Sequence, residues 1–145
     1  MTARQLFIGS ADGARRQVVG DTMRVLASSS DTGGSFEVFE MTGPRDSGPP
    51  PHAHPWSESY SLIEGTVDVF IGDKTFSGAP GCFIQIPAGT FHSYRITSDV
   101  AKVIVVTSPA GAADFFNDVD SETDMEKVAG IARRHGFTLP PAPAQ

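Results

Sequence analysis

The sequence predicts an all-β domain, a sandwich or small barrel of about eight short strands, followed by one C-terminal α-helix. Three observations predict it. Apolar residues through most of the chain fall in runs too short for helices. Fifteen glycines and eleven prolines lie largely between those runs, where strands would turn. Only beyond residue 120 do apolar positions recur at helical spacing.

Strands are expected at 18–26, 36–41, 58–63, 66–71, 74–76, 82–86, 92–96 and 102–107. The stretches IEGTV and IGDKTF read as tight hairpin turns, with Gly65 and Gly72-Asp73 at their tips. A further strand–turn–strand unit runs through Pro87-Ala88-Gly89 to His92. Thr123 and Glu126 form a capping-box pattern, and Met125, Val128, Ala129 and Ala132 follow at helical spacing. Arg133, Arg134 and His135 suit the negative end of that helix dipole, and Gly136 is placed to end it. His135 therefore has a local explanation and is not counted as a ligand. The helix is expected to pack across the outside of the barrel or onto a neighbouring subunit.

The whole chain, 1–145, reads as a single domain: a barrel core at about 18–108, a helical extension at about 111–136 and a flexible tail at 140–145. Its net charge of −6 comes from 11 basic and 17 acidic residues without a basic block. Nucleic-acid and anionic-membrane binding are therefore not expected, because both need clustered Lys and Arg. Arg15-Arg16 and Arg133-Arg134 read as solvated faces. No apolar run is long enough for a signal peptide or a bilayer span, and Cys82 has no second cysteine to pair with. Together these predict a cytoplasmic protein in which Cys82 is a small buried hydrophobe.

The chemistry concentrates in PPPHAHPWSESYSLIEG, residues 49–65. Alternate side chains of an extended segment share a face. His52, His54, Glu58, Tyr60 and Leu62 are all even, whereas Ser57, Ser59 and Ser61 between them are small and polar. Parity thus directs two imidazoles and a carboxylate inward. His92, Tyr94 and Ile96 share a face in the same way. If that strand lies across the barrel interior, His92 meets His52 and His54. For any one histidine, a satisfied core or surface imidazole is the ordinary reading. Three imidazoles and a carboxylate together make an N/O set suited to one divalent transition metal ion: Fe, Mn, Ni, Cu, Co or Zn. Four protein ligands on a six-coordinate ion leave two positions open, as catalysis requires.

HAHPWSESYSLIEG and GCFIQIPAGTFH resemble the two cupin motifs, and all four ligand positions stand at the right spacing with fifteen residues between the motifs. The chain is similar to small single-domain cupins of the quercetin dioxygenase-like type. The resemblance implies a cupin-type jelly-roll β-barrel, with His52, His54, Glu58 and His92 as metal ligands. Two positions depart from the pattern. Gly48 stands four residues before His52 instead of six, and Ile96 replaces the usual asparagine four residues after His92. Small cupins of this kind commonly form homodimers, and the N-terminal strand and C-terminal helix offer surfaces for one.

Trp56, Tyr60, Phe91 and Tyr94 are expected to line the pocket of a small-molecule substrate; Phe83 is a further candidate, and most aromatics in so small a domain serve the core. Gln85 has the outward parity. The leading expectation is a metal-dependent, dioxygenase-like oxidoreductase acting on a small apolar or aromatic enol, with Glu58 loosening from the metal to act as base. The alternatives are a non-redox isomerase, cyclase or lyase that needs no oxygen and tolerates Zn, and a non-catalytic small-molecule-binding barrel. The fold does not choose among them.

Overall fold

The computed structural model describes residues 2–141. The elements in order are β1 (Arg15–Val18), β2 (Asp21–Ala27), α1 (Ser29–Thr32), β3 (Glu37–Pro44), β4 (Ser57–Glu64), β5 (Val67–Ile71), β6 (Lys74–Gly78), β7 (Phe83–Ile86), β8 (His92–Ile96), β9 (Val100–Ser108), α2 (Ala112–Val119) and α3 (Met125–Arg134). A six-stranded sheet, β1-β2-β3-β9-β4-β7, is joined with a three-stranded one, β6-β5-β8, and every pairing is antiparallel. This is the jelly-roll barrel with its C-terminal helical addition.

Parity builds the interior. Phe39 and Met41 of β3, Leu62 of β4, Val67 and Val69 of β5, Ile96 of β8 and Val103 and Val105 of β9 are all at most 5% exposed and form one core. Their neighbours in sequence are more exposed, as period-two strands with one wet face require.

Four expectations need correction. The first predicted strand is two. Val18 ends β1, Val19 and Gly20 turn with φ of 48° and 92°, and β2 starts at Asp21. Two successive positive φ angles match the twist of a two-residue hairpin, and a β-branched valine at the first conceals the turn in the sequence. The turn at Gly65 is not a hairpin, because β4 pairs with β9 and β7 whereas β5 pairs with β6 and β8. The chain instead steps from one sheet to the other there, so close to β9 that a Cβ on Gly65 would lie 2.2 Å from the Val100 carbonyl oxygen. For the same reason β7 and β8 do not pair with each other. The Gly72-Asp73 turn is a true hairpin, closed by the Ile71–Lys74 pair.

The fourth correction concerns the helical extension, which holds two helices. The N-cap of α3 is Asp124, not Thr123: its carboxylate accepts from the amides of Glu126 and Lys127 at 2.9 and 3.4 Å. Helix α2 is capped from a distance. Glu37, 1% exposed, accepts from the Gly111 and Ala113 amides at 2.9 and 3.1 Å. Its apolar face, Ala112, Phe115, Phe116 and Val119, is buried, as are Val128 and Ala132 of α3. His135 closes α3 and reaches Asp118 at 2.6 Å, tying the two helices together. The expected tail is described only to residue 141; the rest of 140–145 lies outside the described residues.

Candidate metal centre

His52 and His54 sit in an extended segment just before β4, broken from it by Pro55. Two partners hold that segment. On one side His52 exchanges backbone hydrogen bonds with His92 at 2.9 and 3.0 Å. On the other, Ala53 exchanges them with Thr138, beyond α3, at 2.8 and 2.9 Å. The histidines therefore meet as backbone neighbours. Glu58 enters from β4, where it faces Thr107 of β9 and Ile86 of β7.

One nitrogen from each of His52, His54 and His92 lies within 4.8 Å of the others. The opposite ring nitrogens decide which one. Each Nδ1 meets a backbone carbonyl, of Pro50, Trp56 and Thr90 respectively, at 2.9, 2.8 and 2.8 Å. A carbonyl only accepts, so each Nδ1 carries the proton and each Nε2 is the inward-facing ligand atom. Glu58 Oε2 lies 2.7 Å from His54 Nε2 and 3.3 Å from His92 Nε2. Lone pairs facing a carboxylate need either added protons or a cation between them. The donor set, three imidazole Nε2 atoms and one carboxylate oxygen, fits a divalent transition metal ion.

All four residues are at most 9% exposed, and burial sets their electrostatics. The His52 ring is pushed down to about 4 by burial and by the neighbouring His92, so it is neutral and ready to ligate at pH 7. Burial drives the Glu58 carboxyl up, but the hydrogen bonds and charges of His54 and His92 outweigh it and hold the group well below the usual carboxylate range. His92 is lowered by burial and raised more strongly by Glu58, for a net rise.

Three of the four residues, His52, His54 and Glu58, line a cavity of about 300 Å³. Trp56, Tyr60 and Tyr94 line it. Trp56 stacks on His54, with centroids 4.6 Å apart and planes 15° apart. Tyr60 and Tyr94 meet edge-to-face at 6.0 Å. Phe91 does not line the cavity: it is 41% exposed, because the residue preceding inward His92 must point outward. Phe83 is likewise 62% exposed, and Gln85 is exposed as its parity implies.

More of the lining comes from residues that sequence reasoning did not select: Phe115 and Phe116 of α2, Val128 and Ala132 of α3, and Phe137. Phe137 stacks on the His52 ring at 5.5 Å and 27°, and also contacts His54, Trp56 and Phe115. Nothing local marks it, since its position follows from the Ala53–Thr138 bridge.

Comparison with known proteins gives a consistent picture. The Cupin domain family profile (Cupin_2) matches residues 38–108. Quercetin 2,3-dioxygenase of Bacillus subtilis is 31% identical over 103 residues, covering 70% of this chain and 31% of that enzyme. The match thus spans about a third of that relative's length. Among solved structures, KdgF from Halomonas sp. superposes with a TM-score of 0.67 at 17% identity, over 75% of this chain and 99% of that one. The polyketide cyclase RemF from Streptomyces resistomycificus gives 0.63 at 23%, over 72% and 80%. At these identities the structural likenesses speak for the fold alone.

Proposed function

Since the chain belongs to the cupin superfamily, we propose that it is a metal-dependent, dioxygenase-like oxidoreductase acting on a small aromatic enol. The observation that carries this is the convergence of three carbonyl-anchored imidazoles and Glu58, of which His52, His54 and Glu58 line an apolar cavity. The identity to quercetin 2,3-dioxygenase supports the substrate class.

His52, His54, Glu58 and His92 would hold the ion. When bound, it supplies Lewis acidity toward an enol oxygen and, if redox-active, a route for electrons to dioxygen. The chain's own residues do the rest. Trp56, Tyr60, Phe115 and Phe116 enclose an apolar ring and exclude water. Glu58 is ionised at neutral pH. Its basicity is suppressed by the imidazoles, whereas its burial favours the protonated acid. With Glu58 turned from the ligand set toward a substrate hydroxyl, its burial favours the protonated acid, so the carboxylate would be a competent proton acceptor.

A non-redox isomerase, cyclase or lyase is the second reading, because the same donor set suits Zn as well as a redox-active ion. Metal analysis and oxygen uptake separate the two. Protein purified without chelator or nickel affinity is expected to carry near-stoichiometric Fe, Mn, Ni or Cu and to consume dioxygen with quercetin. His52→Ala and His92→Ala should lose both properties. Stoichiometric Zn with turnover under argon would overturn the oxygenase reading, and metal unchanged in both variants would overturn the ligand set.

A further inference from the structure

The cavity has a second polar pole, away from the metal donors. Asp21, the first residue of β2, is 2% exposed and lines the cavity. Its Oδ1 accepts from Ser47 Oγ at 2.5 Å, and its Oδ2 accepts from the Tyr94 hydroxyl. No lysine, arginine or histidine pairs with it among the described residues. The backbone makes room for it: a Cβ on Gly43 of the adjacent strand would lie 2.0 Å from Asp21 Oδ1 and 2.8 Å from Ser47 Oγ. A buried carboxyl without a cation is costly, so its two hydrogen bonds matter.

Those two bonds do not exhaust it. A carboxylate has about four acceptor positions, and the two protein donors occupy only two. The surroundings are apolar, with Val18, Val19 and Met23 beside it on the cavity wall. A simple tether from β2 to the Ser47 loop would need no frontage on a cavity. Tyr94 stands two residues from His92 on β8, about 7 Å along the strand. Asp21 and the donors thus line one cavity from different parts of the chain, β2 against β4 and the segment before it.

We propose that Asp21, steadied by Tyr94 and Ser47, accepts a hydrogen bond from a hydroxyl at the far end of the substrate. The site then selects ring compounds with a chelating enol at one end and a hydroxyl at the other. This deepens the metal–enol reading above and rests on it.

The test uses Co(II)-loaded protein and two flavonol probes, with binding followed by the Co(II) absorption bands. Both carry the chelating enol; quercetin adds distal hydroxyls on either ring system and 3-hydroxyflavone has none. Wild type should bind quercetin about ten-fold more tightly, and Asp21→Asn should bring the ratio of the two affinities close to one. A purely structural Asp21 would weaken both probes together and leave the ratio standing. Tyr94→Phe, the second variant, removes one of the steadying bonds and should cut the ratio about three-fold. Equal affinities in wild type, or a ratio that survives in both variants, would overturn the proposal while the metal reading stood. Failure of wild type to take up Co(II), or to bind either flavonol, would sink the metal–enol reading and this proposal with it.

Discussion

Leu62 and Glu58 stand on the same face of the same strand, both buried, with Tyr60 between them. Strands β8 and β9 repeat the arrangement. Ile96 and Val103 lie toward one end, His92 and Thr107 toward the other, with Tyr94 and Val105 between. One end of the barrel interior is thus largely hydrocarbon, with the Asp21 carboxyl at its margin near Ile96, and is packed tightly enough to leave only a small gap. The other end is also largely buried but built of imidazole, carboxylate and hydroxyl groups around a cavity. The difference teaches how one β scaffold separates its two tasks. Burial of apolar side chains at the closed end stabilises the fold. At the open end, burial costs stability unless each polar atom is matched, so what stands there must be satisfied by hydrogen bonds, a cation or a ligand.

The largest effect should come from the polar end. If the proposed oxygenase activity holds, Glu58→Gln is expected to lower oxygen uptake with quercetin by about 10²- to 10⁴-fold, since it removes the proposed base and weakens the proposed metal set together. Stability should change far less than activity, as thermal unfolding of the metal-free variant would show. Collapse of the fold in that variant would mean that the two ends are not separate in function.

Leu62→Ala is the complementary change. It should cost about 2–5 kcal/mol in denaturant unfolding while leaving metal stoichiometry intact. Loss of metal in that variant would break the comparison from the other side.

The metal-free protein should also show a pH signature of the polar end. The unfolded His52 ring takes up a proton as pH falls below about 6.5, but the folded ring, held down by burial, refuses it until about 4. The unfolded state binds more protons in that window, so stability falls as pH drops through it, by up to about 1.4 kcal/mol per pH unit. Above pH 6.5 this contribution is fully present. His52→Phe should flatten the slope in chemical denaturation measured across the window; an unaltered slope would assign the effect to other groups.

Two smaller effects complete the series. Thr107 Oγ1 is the one buried side-chain oxygen or nitrogen without a hydrogen-bond partner among the described residues. Thr107→Val keeps the shape and removes that orphan, so the metal-free protein should gain about 1 kcal/mol by calorimetry. A loss instead would show that the hydroxyl has a partner in solution. Phe91→Ala should shift neither metal content nor quercetin turnover, and stability by no more than about 0.5 kcal/mol, because its ring faces solvent.

Much of this was legible in the chain because strand parity is a local property. The inward directions of His52, His54, Glu58, Tyr60, His92 and Tyr94 follow from period two alone, and the motif spacing identifies the same histidines and carboxylate. Local rules also failed where two local signals competed. Val19 reads as strand although it turns, and Phe91 reads as pocket although its parity is that of the outer face.

What the sequence by itself determined, then, is the set of side chains that face inward and the donor types offered to an ion, because both depend on residues a few positions apart. Only the tertiary structure decided which strands pair, that Glu37 caps a helix more than seventy residues away, that Phe137 covers the histidines and that Asp21 joins the cavity through Tyr94. Those contacts depend on how the two sheets and the C-terminal helices close on one another. Chain closure over such separations is set by packing of the whole core, and no short window of sequence contains it.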